Sequence, residues 1–294
     1  MRPNSSFNRA AETVPPHAWF VVSAVFHYLG PSLAVLLFPA VGVLGVAWFR
    51  IVSAAAVFTL VGRPWRTFFR AGAATRCLLV GLGLCLALMN VSFYLALDRL
   101  PMSLVAAMEF IGTISIALAG TRTPRNLIAL ALVVAGVLLL IDTKWATDPL
   151  GLAWAIANAA MFTLYIVLGH KAAADGAGGG VERLGAAMLI AAIAVMPVGL
   201  VEAIKAFDLP RLVLAGIGVG ICSSVIPYIC DQLAMSRLPR ASFALLLALL
   251  PVTATVIAAA VLAQIPSLGD ITGIGLVVAG IAIHRPRSPA PEAL

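Results

Sequence analysis

Charge is what this sequence has least of. Only 11% of its 294 residues are Asp, Glu, Lys or Arg, with 12 acidic against 19 basic, while 62% are hydrophobic. No soluble domain needs that much apolar surface. Cysteine is also scarce: Cys77, Cys85, Cys222 and Cys230 stand at no metal or redox spacing and read as small apolar fillers of a helix bundle. Missing as well are a glycine-rich phosphate loop followed by Lys-Ser/Thr, an H-E-x-x-H pair, and any plausible cluster of metal ligands. Those absences argue against an ATP-driven pump and a zinc protease, so the reading is no enzyme, no cofactor and no metal. The net charge of +7 does not point to nucleic acid, because the basic residues are spread over several short loops with no aromatic platform beside them.

Long apolar runs are what the sequence does have, and its mean hydropathy is +1.06. Runs of roughly 20 residues match a hydrocarbon core about 30 Å thick. They are continuous and do not alternate at every second residue, which favours helices over a barrel. Charge, Pro and Gly interrupt them at points that define ten spans: 16–38, 40–62, 73–97, 101–120, 125–142, 149–171, 184–203, 211–234, 239–263 and 267–284. The fold class is therefore all-α integral membrane. The polar, Pro-rich tails 1–15 and 285–294 flank the spans. Placing the N-terminus inside puts fourteen Lys and Arg residues in the cytoplasm and only Arg99, Lys144, Lys205 and Arg211 outside, with Arg50 alone within a span. By the excess of positive charge in short cytoplasmic loops, both termini lie in the cytoplasm.

The two halves echo each other. ALDRLP at 96–101 and AMSRLP at 234–239 share A-x-x-R-L-P, 138 positions apart, each between a half's third and fourth spans. LVVAG at 132–136 recurs at 276–280, each time in a fifth span. Two matches in the same order argue for a duplicated five-span unit, 16–142 and 149–284. Five is odd, so the second unit enters the membrane from the opposite side. Inverted repeats of this kind are a recurrent architecture of carriers that work by alternating access.

The segments FPAVGVLGVAWFRI at 38–51, NVSFYLALDRLPMSLVAAMEF at 90–110 and SSVIPYICDQLAMSRLPRASF at 223–243 give the chain a particular resemblance. It resembles the EamA family of the drug/metabolite transporter superfamily and, within it, the inner-membrane threonine/homoserine exporters, over nearly its whole length. The resemblance implies ten helices in two inverted halves, a bacterial-type inner-membrane location and export of small metabolites. It also marks departures. Those exporters resemble MEPALA where this chain reads ALLPVTA, with Leu250 before Pro251, and a pattern close to EFTGP is EFIGT here, with Thr113 for Pro. A second intramembrane carboxylate is thus missing, while Asp231 stands where those exporters carry an acidic residue.

Polar side chains within the spans are the candidate site. At about 1.5 Å of rise per residue, Glu109 lies about 12 Å and Arg50 about 15 Å from the outer boundary, and Asn90, His27 and Asn158 fall at roughly 12 to 17 Å. Five polar residues from five spans converge near the middle of the bilayer, where ionisable groups face a bundle interior or a water-filled path. Glu109 either binds and releases a proton as the cavity opens and closes, or stays charged and binds an ammonium. Arg50 offers a planar fork to a carboxylate, so the pair suits a zwitterion. Each residue also has a structural reading: an ion pair fixing two helices, a histidine bonded to a carbonyl, asparagines bonded between helices. Tyr94, Tyr165 and Tyr228, with Trp48 and Tyr28, are candidate pocket walls. Pro227 and Pro251 are candidate gate bends.

The leading expectation is a secondary active exporter of amino acids, coupled to protons or working by exchange. Its partners are a small-molecule substrate, the bilayer and, for an oligomer, further copies of the chain. Uptake of a metabolite and efflux of a drug or toxic cation by the same fold stay open as alternatives, as does a passive channel.

Overall fold

The computed structural model describes residues 15–120, 123–141, 148–173, 180–235 and 250–283. Every regular element among them is helical: α1 (Pro16–Val41), α2 (Val43–Val61), α3 (Pro64–Arg70), α4 (Ala73–Leu97), α5 (Met102–Gly120), α6 (Pro124–Ile141), α7 (Pro149–Ala173), α8 (Gly180–Ala203), α9 (Pro210–Gly220), α10 (Ile226–Met235), α11 (Leu250–Leu262) and α12 (Leu268–Ile283). A single 3-10 turn, Ile204–Ala206, follows α8, and a π-turn, Ile221–Val225, joins α9 to α10. Six segments are long and apolar enough to cross a membrane, including the stretch that runs through the π-turn, and shorter apolar helices accompany them. The molecule is a multi-pass membrane protein. Residues 142–147 and 236–249, and with them much of the 239–263 span, lie outside the described residues.

Helix ends follow from local chemistry. Pro stands in the first turn of α1, α3 and α9, where its missing N–H costs nothing. Gly42 closes α1 and opens α2 in one step, with a φ of 89° that an L side chain rarely adopts. A Cβ there would run into the Glu202 carboxylate. That carboxylate accepts hydrogen bonds from the Leu44 and Gly45 N–H groups at 2.9 and 3.0 Å, capping α2 from the end of α8. Asp148 does the same for α7, accepting from Leu150 and Gly151 at 2.9 and 3.2 Å while Arg99 donates to its other oxygen at 2.7 Å. The element that hydropathy does not anticipate is α3, a short basic, aromatic helix between the second and third spans whose Pro64 is buried.

Apolar side chains face both ways, as the solvent requires. Leu36, Leu60, Leu88, Ile193 and Leu214 are exposed on the bundle's outside, where lipid tails would meet them. Several of the closest contacts between helices are made at glycine, because without a hydrophobic drive between helices it is close approach that gains dispersion energy. Gly136 on α6 packs on Gly273 and Val277 of α12, and Gly280 of α12 packs on Ala129 and Val133 of α6. Gly199 of α8 lies on Leu44 and Trp48, and Gly83 of α4 on Ala187 and Ile190.

Candidate functional site

The centre of the bundle is where α1, α2, α4, α5, α7 and the π-turn approach one another, and it holds most of the buried polar residues. Gly220, the last residue of α9, has no room for a Cβ. One would meet the Ser53 hydroxyl and the carbonyls of Arg50 and Phe49. This close approach seats the π-turn against α2. Seven residues on, Pro227 has no N–H to give the carbonyl four residues back, that of Ser223. Arg50 takes up that acceptor: its Nη2 donates to the Ser223 oxygen at 3.3 Å, and its Nε donates to the Ser224 hydroxyl at 3.2 Å. Two aromatic faces complete the guanidinium's surroundings, Phe93 at 5.7 Å and Tyr94 at 5.3 Å from ring centroid to Cζ. Arg50 is only 5% exposed.

Glu109 is held separately, on α5. Asn158 of α7 donates its amide to Glu109 Oε1 at 2.8 Å, and both residues are buried. Among the described residues the ion pair that forms is Arg99–Asp148, on the surface. Arg50 and Glu109 do not bond directly, although the Arg50 charge lies within electrostatic reach of the carboxylate. A guanidinium and a carboxyl thus stand near each other in the interior, Arg50 bonded to Ser223 and Ser224 and Glu109 bonded to Asn158.

The structure brings Arg50, Tyr94, Glu109 and Asn158 into this centre and places the other candidates around it. His27 is half-buried beside Tyr28, their ring centroids 5.4 Å apart, and it lies within the field of Arg50. Asn90 is buried but turns its amide back to the Leu86 carbonyl of its own helix at 2.7 Å, so that amide is occupied locally. Tyr165 packs beside Phe162, ring centroids 6.3 Å apart, and Tyr228 lies against the core, half-buried. Trp48 donates to the Met196 sulfur at 3.1 Å, which makes it a contact between α2 and α8. Pro227 is buried at the start of α10, where its carbonyl accepts from Ser23 of α1 at 3.3 Å. Pro251 is buried in α11. The side chains of Asp231 and Thr113 lie outside the described residues.

Sequence reasoning passed over Ser223, Ser224 and Phe93. The signal for the serines was available: two adjacent small hydroxyls a few residues before an intrahelical proline, in a span holding glycines at 216, 218 and 220. That pattern favours a local departure from α-geometry, and π-turns inside helices are frequent at functional sites.

Curated relatives settle the family. The chain is 33% identical to the threonine/homoserine exporter RhtA of Salmonella typhimurium over 230 residues, covering 77% of this chain and 76% of that one. With the RhtA exporter of Escherichia coli K12 it shares 30% identity over 253 residues, covering 85% of this chain and 84% of the other. The model of the EamA-like transporter family matches residues 149–284. The chain belongs to the EamA family. This is a transporter family of the drug/metabolite transporter superfamily, and not an enzyme family. A solved crystal structure shares the EamA chain's fold with a TM-score of 0.60 at 20% identity, covering 91% of this chain and 96% of that one.

Proposed function

We propose that this EamA protein is a secondary active exporter of amino acids of the threonine/homoserine kind, working by alternating access from the bacterial inner membrane. The observation that carries the reading is the pair of buried ionisable residues, Arg50 and Glu109, which bond not each other but Ser223, Ser224 and Asn158. A purely structural ion pair would be expected to close on itself, since the Coulomb gain is largest at contact. Charges held apart leave each with a field to offer a third, zwitterionic body. The RhtA exporters to which the chain is similar supply the solute class.

Ten spans in two inverted halves are the architecture proposed for this cycle, with both termini in the cytoplasm. The helix contacts support it. Under a shift of 144 positions, the spacing of the two LVVAG segments, the packing of Gly136 on Gly273 and Val277 becomes that of Gly280 on Ala129 and Val133. One contact is the mate of the other, as a two-fold axis between α6 and α12 requires. The helices are antiparallel there, because rising numbers on α6 meet falling numbers on α12. The second spans behave alike: Gly45 meets Ala203 while Gly185 meets Phe58, so α2 and α8 also run antiparallel. In this scheme Glu109 is the group whose charge is linked to the side on which the centre opens.

Purified protein in proteoliposomes loaded with unlabelled threonine or homoserine tests the reading. Saturable accumulation of labelled threonine by exchange is expected. A flux that rises without saturation favours a channel. Saturable transport of organic cations without amino-acid exchange favours the drug-efflux alternative.

A further inference from the structure

Five buried side-chain atoms have no hydrogen-bond partner among the described residues: Arg50 Nη1, Thr59 Oγ1, the Tyr94 hydroxyl, Asn158 Oδ1 and Ser223 Oγ. A buried polar atom that stays unpaired is costly, so a cluster of them asks for an occupant. Three belong to one place. Arg50 lies over the Tyr94 ring at 5.3 Å and donates to Ser223's own carbonyl at 3.3 Å. Tyr94 is fully buried, Ser223 is 1% exposed and Arg50 is 5% exposed, so bulk water does not satisfy these atoms. All three can donate a hydrogen, and one of them carries a fixed positive charge.

We propose that Arg50 Nη1, Ser223 Oγ and the Tyr94 hydroxyl form the subsite for the carboxylate of the transported solute. The inference rests on the exporter reading and extends it to named atoms. The chemistry selects the ligand. Two hydroxyls and a guanidinium N–H suit an oxyanion whose two oxygens offer about four lone-pair positions, and the fixed positive charge repels an ammonium. The setting is built for it. Nε and Nη2 are already occupied by Ser224 and the Ser223 carbonyl, which turns Nη1 into the free tine of the fork. The π-turn presents Ser223, and α1 forms the wall behind it: a Cβ at Gly30 would overlap the Ser223 hydroxyl and come within 2.6 Å of its backbone nitrogen. Glu109 and Asn158, bonded to each other at 2.8 Å, are the acceptors assigned to the solute's ammonium.

The orphans give the test two independent readouts. Ser223→Ala and Tyr94→Phe each remove a hydroxyl that has no partner in the empty protein, so the ligand-free Tm stays within about 2 °C of wild type or rises. A hydroxyl with a structural bond would lower it. Calorimetric binding of L-threonine, threoninol (the same molecule with an alcohol for the carboxylate) and 2-hydroxybutyrate (a carboxylate without the ammonium) is then measured on detergent-purified full-length protein. Wild type binds threonine more tightly than threoninol, and each substitution weakens threonine roughly ten-fold while leaving threoninol unchanged. Should wild type bind 2-hydroxybutyrate but no amino acid, with that binding weakened by both substitutions, the carboxylate subsite stands and the amino-acid reading falls. Three results overturn the subsite: threonine and threoninol bound equally, threonine affinity unmoved by both substitutions, or no carboxylate bound by wild type. Any of them makes the three atoms a cage for ordered water.

Discussion

Arg50 and Glu109 differ in what a conservative replacement takes away. Lysine at 50 keeps the charge but cannot hold the Ser224 hydroxyl and the Ser223 carbonyl in one plane, because an ammonium is a point donor and not a fork. Arg50→Lys is expected to reduce threonine exchange at least ten-fold and to lower thermal stability, measured in proteoliposomes and by unfolding in detergent. Glu109→Gln is gentler on the fold. An amide oxygen still accepts from Asn158, a bond whose loss in a membrane bundle averages only about 0.6 kcal/mol. Stability should hold while exchange falls by a factor of about ten or more, the size set by losing one charge-assisted hydrogen bond. A large fall in Tm with exchange retained would return Glu109 to a structural role. Depth along each helix was legible from the sequence, which is why Glu109, Arg50 and Asn158 could be named together. Rotation about the helix axis was not. Asn90 sits at the right level, but its amide bends back to Leu86, an outcome no count of residues from a boundary contains.

Elements were readable where a single residue type forces an end and opaque where tertiary contact decides. The start of α9 at Pro210 and the turn at Gly42 follow from residue chemistry alone. The division of the eighth span into α9, a π-turn and α10 depends on Gly220 meeting α2 and on Arg50 claiming a carbonyl, both long-range events. Another end carries strain that can be relieved. Ala263, after the last turn of α11, has a φ of 54°, in the left-handed region where a Cβ costs about 1 kcal/mol, while Gln264 N–H closes back on the Ala258 carbonyl. Ala263→Gly is expected to stabilise the protein by roughly 0.5 to 1 kcal/mol, read as a higher Tm. The cap of α7 carries a pH signature. The Arg99 guanidinium, followed by the Gly151 N–H, holds the Asp148 carboxyl below the usual carboxylate range. A depressed folded pKa contributes stability above the unfolded value of about 3.9 that disappears as pH falls through the folded one. Asp148→Asn should therefore be less stable than wild type at neutral pH, and the gap should narrow as the pH is lowered below about 4, followed by thermal unfolding.

On the scale of the whole molecule, the sequence supports an orientation and the helix contacts support a symmetry, and the two make one joint demand. If α6 and α12, like α2 and α8, are antiparallel mates about a two-fold axis, the basic stretch 63–76 after α2 and Arg183 at the start of α8 fall on the same side. By the positive-inside tendency that side is the one expected to face the cytoplasm. The chain carries its own reporter for this. Cys77 is exposed at the start of α4, directly after Arg76, while Cys85 and Cys230 are buried and Cys222 is partly so. A membrane-impermeant maleimide added to intact cells should leave Cys77 unlabelled, and the same reagent on inside-out vesicles should label it, with Cys77→Ser as the blank. A cysteine introduced at Asp98, beside the exposed Arg99–Asp148 pair at the other end of α4, should show the reverse pattern. Labelling of Cys77 from outside would invert the chain in the membrane. It would leave the fold intact but turn the centre's cycle around, so that the proposed exporter would have to be argued again as an uptake carrier.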